Sequence, residues 1–471
     1  MKALLALALT SCASNPSHTA DPIREPDLEP TIRMTVIPPP APAPAVVAPV
    51  VAAVAPAATP SLDAPYDETV RSVRLLHRAT VRKQPSAEAD AYGVAKKGTR
   101  AAVLRALPAG DGCRSRWIEI QPRGFVCEDV LEPSPAEPTA LVAPSLDTDE
   151  PAVKGVYGIV RGKGVEAFAS ADAVVAGTGR LLEGSNTVRA AGSVTIDGER
   201  YWRTSKGELI RARSIVQMSP SRFQGVALAA GDALPAWIRG HSDSRKPVTT
   251  RATPSPRGTI TGTLAPRTIV TIEDESADGR FVRVGADAWI DRRDVRRATL
   301  APPPPGTAAG EKWLDVDLDQ QTLVAYEGDR PVFATLVSTG KWGHLTPTGV
   351  ARIASKHEAA GMTSDKAGEA YSVADVPWTM YYDGDYALHT SYWHDGFGSP
   401  RSHGCVNLAP RDARRLFQWS SPDVPAGWST VYGDADNPGT LVRVRSRAAA
   451  EPGFRGYARK LVEPGVTISQ R

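Results

Sequence analysis

Proline divides this chain before anything else does. The 41 prolines cluster in three stretches rather than spreading evenly. One runs from about Ser14 to Pro65 and includes Pro38-Pro39-Pro40; a second runs from Pro133 to Ser145; a third, Ala301 to Gly310, holds Pro302-Pro303-Pro304-Pro305. Proline fixes φ and removes a donor, so such stretches interrupt helices and sheets and read as linkers. The 471 residues suggest roughly three domains of about 150 residues each. With 42% hydrophobic and 23% charged residues, most of the chain can fold. The 55 Lys+Arg against 52 Asp+Glu leave a net charge of +3, which is no footprint for a nucleic-acid binder. No run of about 18 apolar residues follows the N-terminus, so no internal membrane span is expected.

Residues 1–12 read as an address. Lys2 supplies a short positive region and Ala3 to Leu9 an apolar one, the layout of a secretory signal. Leu9-Thr10-Ser11-Cys12 resembles a bacterial lipobox. That resemblance implies a lipidated Cys12 at the mature N-terminus, held to a membrane by its acyl chains. Ala13, rather than Asp, after the cysteine implies the outer membrane in a Gram-negative envelope. An ordinary signal, or a start codon placed elsewhere, is the plainer alternative. The expectation is an exported protein of the periplasm or cell envelope, an outer-membrane lipoprotein. Residues 13–65 form a Pro/Ala-rich tether that favours extended conformations and reaches on the order of 150 Å. A spacer of no specific length fits the same composition.

Three β-rich modules are expected next, at 66–133, 151–220 and 234–300, with linkers at 134–150 and 301–310. A weak repeat carries this reading. Trp117, Tyr201 and Phe281 are each followed by an apolar anchor eight residues on, at Phe125, Leu209 and Trp289. Alternating apolar residues with Gly-bearing turns argue for hairpins, and self-similarity at this period argues for copies of one unit. The first and third copies, Val81-Arg82-Lys83-Gln84-Pro85 to Gly124-Phe125-Val126 and Thr250-Arg251-Ala252-Thr253-Pro254 to Ala288-Trp289-Ile290, resemble bacterial SH3-like domains. The second copy is more diverged. The resemblance implies small β-barrels that bind wall peptide or glycan; mere spacers are the alternative. Cys113 and Cys127 flank a strand and its turn in the first module, and in an oxidising compartment such a pair is expected to bridge. A loop of that size would stabilise by roughly 3 kcal/mol in the chain-entropy model.

One cysteine then remains, Cys405, in Ser402-His403-Gly404-Cys405-Val406-Asn407. Three of the eight histidines, His389, His394 and His403, fall in the sixteen positions before it. A lone cysteine with histidines nearby in an exported chain is a candidate nucleophile. The thiolate attacks, and an imidazole within reach takes its proton and later returns it to a leaving amine. Gly404 leaves room for a substrate backbone and frees the turn to aim N–H groups at an oxyanion. A metal cluster fits poorly, because His389-x4-His394 with His403-x-Cys405 matches no common zinc spacing. A papain-like peptidase fits poorly too, because there the cysteine precedes its histidine.

Residues His389 to Asn407 resemble the signature of L,D-transpeptidases with a YkuD-type catalytic domain: a His, a gap of about fifteen residues, then Ser/Thr-His-Gly-Cys-hydrophobic-Asn. Leu314-Asp315-Val316-Asp317-Leu318, Gln321-Thr322-Leu323 and Val337-Ser338-Thr339-Gly340 resemble the family's opening strands, and Thr346-Pro347-Thr348-Gly349 its turn. The resemblance covers about 308–446, with the catalytic domain taken as 311–446 and 447–471 as a tail without readable function. It implies Cys405 as nucleophile and His389 as general base, oriented by the Thr390 carbonyl. His403, Gly404 and Cys405 would supply N–H groups to the oxyanion, with the His403 side chain structural. Ser402 and Asn407 would shape the nucleophile loop and, with Trp393, touch substrate; His394 would line or buttress the cleft. Of the aromatic run Trp378, Tyr381 and Tyr382, one member could face substrate, although a core strand reads better. Leu314, Val316 and Leu318 alternate with Asp315 and Asp317, a half-buried strand pattern. Pro410 suits the first turn of a helix whose apolar face is Ala413, Leu416 and Phe417. Residues 356–376 show no clear periodicity, and the resemblance implies a loop over the active site there.

The fold class expected is therefore mainly β and multi-domain: small SH3-like barrels, then a β-rich catalytic domain with a short helix after the nucleophile loop. The resemblance implies acyl transfer on peptidoglycan stem peptides, acylation by carbapenem-type inhibitors, and no metal or cofactor. Transfer to another stem, to a free D-amino acid, to a protein amine or to water (an L,D-carboxypeptidase) stays open. A non-catalytic wall-binding anchor is the alternative from another class.

Overall fold

The structure, a computed structural model, describes residues 66–139, 151–239, 246–364 and 370–462. Cys12 and the tether lie outside the described residues. Strands dominate, and three α-helices occur among the described residues: Ala171–Ala176, Pro410–Trp419 and Gly456–Val462.

The C-terminal region is built on two sheets. In the first, the order is Val226–Ala227, Arg330–Leu336, Thr322–Glu327, Lys312–Asp317, Leu441–Arg445, Gly349–Arg352. Lys312–Asp317 and Leu441–Arg445 run parallel, in register from Trp313 opposite Leu441 to Asp317 opposite Arg445. In the second sheet, the long strand Tyr371–Asp383 pairs with Ser355–Ser364 on one side and Tyr386–Thr390 on the other. Tyr386–Thr390 then pairs in parallel with Val406–Leu408. Leu314, Val316, Leu323, Met380, Leu388 and Val406 meet between the sheets, and the helix Pro410–Trp419 closes the core with Ala413, Leu416 and Phe417. Pro410 sits at the helix start, where its missing N–H has no intrahelical partner to lose.

Two local expectations need correction. Asp315 and Asp317 are not on an open face: both are buried, at 1% and 6% exposure. The parallel neighbour explains this, because Arg443 and Arg445 cover that face. Arg443 Nε lies 2.7 Å and Arg445 Nε 2.9 Å from the Asp315 carboxylate, and Arg445 reaches Asp317 at 3.0 Å. Nor is 356–376 an irregular loop. Ser355–Ser364 and Tyr371–Asp383 form an antiparallel hairpin with a register shift between Ala360 and Met362. Its polar composition hid it, since one face of the hairpin is exposed and carries no apolar alternation.

The three modules share one local pattern. Phe125–Cys127, Leu209–Arg211 and Trp289–Asp291 are each followed by one turn of 3-10 helix, at Glu128–Val130, Ala212–Ser214 and Arg292–Asp294. A further strand follows in each case, Leu131–Ser134, Ile215–Gln217 and Val295–Arg297. Each 3-10 turn falls directly after the strand that opens on the second anchor of the sequence repeat. Cys113 and Cys127 are joined by a disulfide.

The small barrels, however, are not closed. In the first module, Ser72–Leu75 pairs with Arg100–Ala101 and Leu131–Ser134 in a three-stranded sheet. Its other strands run on into the second C-terminal sheet, because Ala91–Ala95 pairs with Trp428–Tyr432. The second module does the same: Ser185–Ile196 pairs in parallel with Tyr371–Asp383, Ser185 opposite Tyr371. Edge strands with unmet backbone groups thus find partners in the C-terminal sheet instead of closing on their own module.

The cores follow the strands. Trp428 packs among Val73, Leu75, Ile118 and Ile120 of the first module. Tyr392 packs with Val153 and Tyr157 of the second. Trp237 of the third, with Leu228, joins Trp313, Tyr326 and Leu336. The segment 221–233, assigned to no module on sequence, contributes the strand Val226–Ala227 at the edge of the first C-terminal sheet.

Candidate active site

The parallel pairing of Tyr386–Thr390 with Val406–Leu408 brings the two ends of the signature together. His389 stands opposite Asn407 in the register, two residues beyond Cys405. His389 and Cys405 both line one cleft of about 1300 Å³, with Trp393, Ser402, His403 and Asn407.

His389 is 2% exposed. Its Nδ1 lies 3.0 Å from the Thr390 carbonyl oxygen. A carbonyl only accepts, so Nδ1 carries the proton and Nε2 keeps its lone pair. Burial pulls the imidazole pKa down to about 4, against a smaller opposing effect of the Thr390 hydrogen bond. Cys405 is half-buried, and its Sγ–H donates to the Asp385 carbonyl at 3.6 Å. Burial pushes its thiol up to about 11; the Ala387 N–H at the sulfur pulls the other way and Asp385 adds to the rise. Burial thus favours the neutral form of each group, the thiol and the imidazole, in the cleft they share.

The loop that carries Cys405 is held by side chains around it. Ser402 Oγ donates to the Cys405 carbonyl at 2.6 Å and accepts the Gly404 N–H at 3.0 Å. Thr346 Oγ1, from the Thr346-Pro347-Thr348-Gly349 turn, donates to the Gly404 carbonyl at 2.7 Å and accepts the Gly340 N–H at 2.9 Å. Gly404 has φ +125°, and a Cβ there would stand 2.6 Å from the Tyr386 ring, so only glycine fits. The Gly404 N–H, expected to face an oxyanion, is instead committed to Ser402 Oγ, because that bond closes the tight turn.

Asn407 and His394 form a buried pair. The Gly396 N–H donates to His394 Nδ1 at 3.2 Å, and His394 Nε2 lies 2.9 Å from the Asn407 amide. With Nδ1 accepting, the neutral ring must carry its proton on Nε2, and the Asn407 amide must offer its oxygen there. The amide NH2 then takes the other position, which is buried without a protein partner and belongs to a side chain lining the cleft. Burial first, then Arg401 and His389, drives the His394 pKa down to about 3. His394 thus buttresses Asn407 and does not line the cleft. The ring of His403 faces His344 at 4.5 Å and Tyr371 at 5.4 Å.

Several cleft residues lay outside the sequence reading. Tyr371 and Met362 come from the hairpin, Ile159, Ser185 and Thr187 from the second module, and Arg455, Tyr457 and Lys460 from the tail. Tyr381, also in the cleft, belongs to the aromatic run singled out on sequence, and Met362 and Tyr371 to the segment expected over the site. Of its run, Tyr382 is core, and Trp378 packs at the core edge, its indole N–H on the Ala152 carbonyl at 2.6 Å. Thr187 Oγ1 bonds Tyr392 OH at 2.8 Å, and Arg189 pairs with Asp375 at 2.8 Å. These contacts tie the second module to the cleft wall.

Fold and site together define a two-sheet β domain presenting a histidine-flanked cysteine. Residues 311–444 match the family model of the L,D-transpeptidase catalytic domain, YkuD, and a domain of that family occupies this part of the chain. Similar solved structures include an L,D-transpeptidase from Stackebrandtia nassauensis, 28% identical over 32% of this chain and 58% of that one, TM-score 0.21. The catalytic domain of the E. faecium L,D-transpeptidase is 24% identical over 29% of this chain and 98% of that one, TM-score 0.23. The same domain acylated by ertapenem is 26% identical over 29% and 99%, TM-score 0.23. The match therefore spans little more than half of the Stackebrandtia chain. No curated protein matches the chain.

Proposed function

We propose that this chain is a peptidoglycan L,D-transpeptidase that uses Cys405 as its nucleophile. The observation that carries this reading is the meeting of Cys405 and a tautomerically set His389 in one cleft, inside the segment that matches the family. His389 Nε2 takes the Cys405 thiol proton as the sulfur attacks the carbonyl between the stem diamino acid and the terminal D-Ala. The tetrahedral oxyanion is met by the Cys405 N–H. The C–N bond then breaks, the imidazolium returns its proton to the amine, and D-Ala leaves a thioester on Cys405. A second amine attacks, His389 takes its proton, and the thiolate departs to be reprotonated. The acceptor is the amine of a second stem, giving a 3–3 cross-link, or a protein amine. Because burial holds both partners neutral at rest, proton transfer belongs to the attack itself and not to a standing ion pair.

The acylation of the E. faecium domain by ertapenem supports the same chemistry here, with a carbapenem opening on Cys405. Export and a lipid anchor at Cys12 belong to the same proposal and rest on the N-terminal sequence. The test is incubation with purified disaccharide-tetrapeptide, followed by mass spectrometry, with Cys405→Ala as blank. A cross-linked dimer that has lost one D-Ala, absent from the blank, is the expected product. A tripeptide alone would point to water as acceptor. No product and no carbapenem adduct would leave the non-catalytic anchor.

A further inference from the structure

The third module meets the C-terminal domain along a seam dense in arginine. Arg239 donates to Ser399 Oγ at 3.0 Å, Arg296 Nε to the Gly398 carbonyl at 2.9 Å, and Arg267 pairs with Asp395 at 2.7 Å. Beside these contacts lies a cavity of about 280 Å³ that shares no lining residue with the Cys405 cleft. Six arginines line it against three acids, Glu275, Asp291 and Asp319.

The acids do not balance the cations. Glu275 is shared between Arg292 at 3.0 Å and Arg297 at 3.4 Å. Asp291 is shared between Arg293 at 2.8 Å and Arg280 at 3.8 Å. Asp319 spends one oxygen on the Arg447 backbone N–H at 2.6 Å. Arg296 donates to the Gly398, Arg293 and Val295 carbonyls. Burial, then the nearby Arg239, pulls its pKa down to about 10, and Asp294 only partly opposes this. The seam thus concentrates positive charge that the neighbouring carboxylates, Asp294 among them, compensate only in part.

We propose that this seam is a binding site for a phosphate-type oxyanion. Guanidinium forks match tetrahedral oxyanions bidentately. Here they converge from two sides, Arg280 and Arg292 from the module and Arg447 from the chain beyond the catalytic sheet. The excess of lining arginines over lining acids suits a multiply charged phosphate better than a single carboxylate. The volume lies at the low end for ligand pockets, enough for a phosphate with a small substituent and too little for a stem peptide. Arg296 links the site to Gly398, on the loop between His394 and the nucleophile turn.

The test is isothermal titration of the full chain with pyrophosphate and, separately, with glycerol phosphate, at about physiological ionic strength, where purely diffuse attraction is screened. The double variant Arg280→Gln/Arg447→Gln changes two exposed side chains, so its melting temperature should equal that of the parent. Saturable binding weakened at least tenfold in the double variant is the expected result. Tighter binding of pyrophosphate would mark a free anion as ligand, and tighter binding of glycerol phosphate a phosphate carried on a polyol. No saturable heat from either ligand overturns the proposal. Equal affinity in the double variant, or weakening by Lys460→Gln in the other cleft, overturns it as well.

Discussion

At the scale of single residues, burial sets the chemistry more than charge does. Cys405 and His389 are both pushed toward their neutral forms, to about 11 and about 4. Alkylation of Cys405 by a neutral reagent such as iodoacetamide should therefore climb steadily between pH 7 and 10, following the thiolate fraction. A plateau by pH 9 would contradict a raised thiol pKa. His389→Ala should lower turnover by at least about 100-fold, the usual scale of a general base, while the melting temperature changes little. A variant retaining near-normal turnover would remove His389 from the mechanism. Gly404→Ala tests the loop: at φ +125° and 2.6 Å from the Tyr386 ring, a methyl forces a strain of roughly 1–3 kcal/mol. Loss of activity well beyond any loss of stability is expected; unchanged kcat/KM would show that the turn tolerates a shift.

Among the elements, the parallel pair Lys312–Asp317 and Leu441–Arg445 is the most demanding. It buries Asp315 against Arg443 and Arg445. Asp315→Ala leaves two arginines without their carboxylate, and breaking a buried pair in this way costs about 3–5 kcal/mol. Chemical denaturation should read that loss, and a change below about 1 kcal/mol would show that Asp317 takes over the role. The hairpin Ser355–Ser364 and Tyr371–Asp383 is the element by which the second module reaches the site. Its Tyr371 lines the cleft, while Tyr371 to Val373 pair with Ser185 to Thr187. A change in the second module can thus alter substrate handling without touching the family's signature.

Across the whole molecule, the modules are fused to the C-terminal domain through shared cores. The segment 311–446 expressed alone would expose Trp428, Tyr392 and Trp313, each of which packs on or beside a module. A single calorimetric transition for the full chain is expected, and a melting temperature for the excised segment lower by 10 °C or more. Equal melting temperatures would mean that the shared cores contribute nothing. Stability should also fall in acid. His357, His389 and His394 have folded pKa values lowered by burial to about 4, 4 and 3, from an ordinary 6.5. The unfolded chain therefore binds more protons below pH 6.5, and the histidine contribution, complete above that value, is lost on acidification. Asp412, buried and raised to about 7 from 3.8, acts in the opposite sense, since it releases a proton on unfolding in that range. Three groups against one leave roughly 2–3 kcal/mol of stability lost per pH unit near pH 5. A flat stability profile between pH 6.5 and 4.5 would contradict the buried, neutral histidines.

The sequence by itself determined what is local. The Ser402-His403-Gly404-Cys405 turn, the helix opening on Pro410 and the aromatic anchors eight residues apart are legible because turn chemistry, proline geometry and strand alternation act within a few residues. Tertiary structure alone decided which edges pair, and that depends on backbone groups common to every residue type. Hence Ala91–Ala95 joins Trp428–Tyr432, and Ser185 to Thr187 join the hairpin, where separate barrels were expected. The same dependence hid the fate of Asp315, whose arginine partners lie 128 and 130 residues away. It also hid the tail's place in the cleft, since Arg455, Tyr457 and Lys460 acquire meaning only when Arg455 pairs with Asp383. Periodicity records which face is apolar; it carries no record of whether, or by what, the polar face is covered.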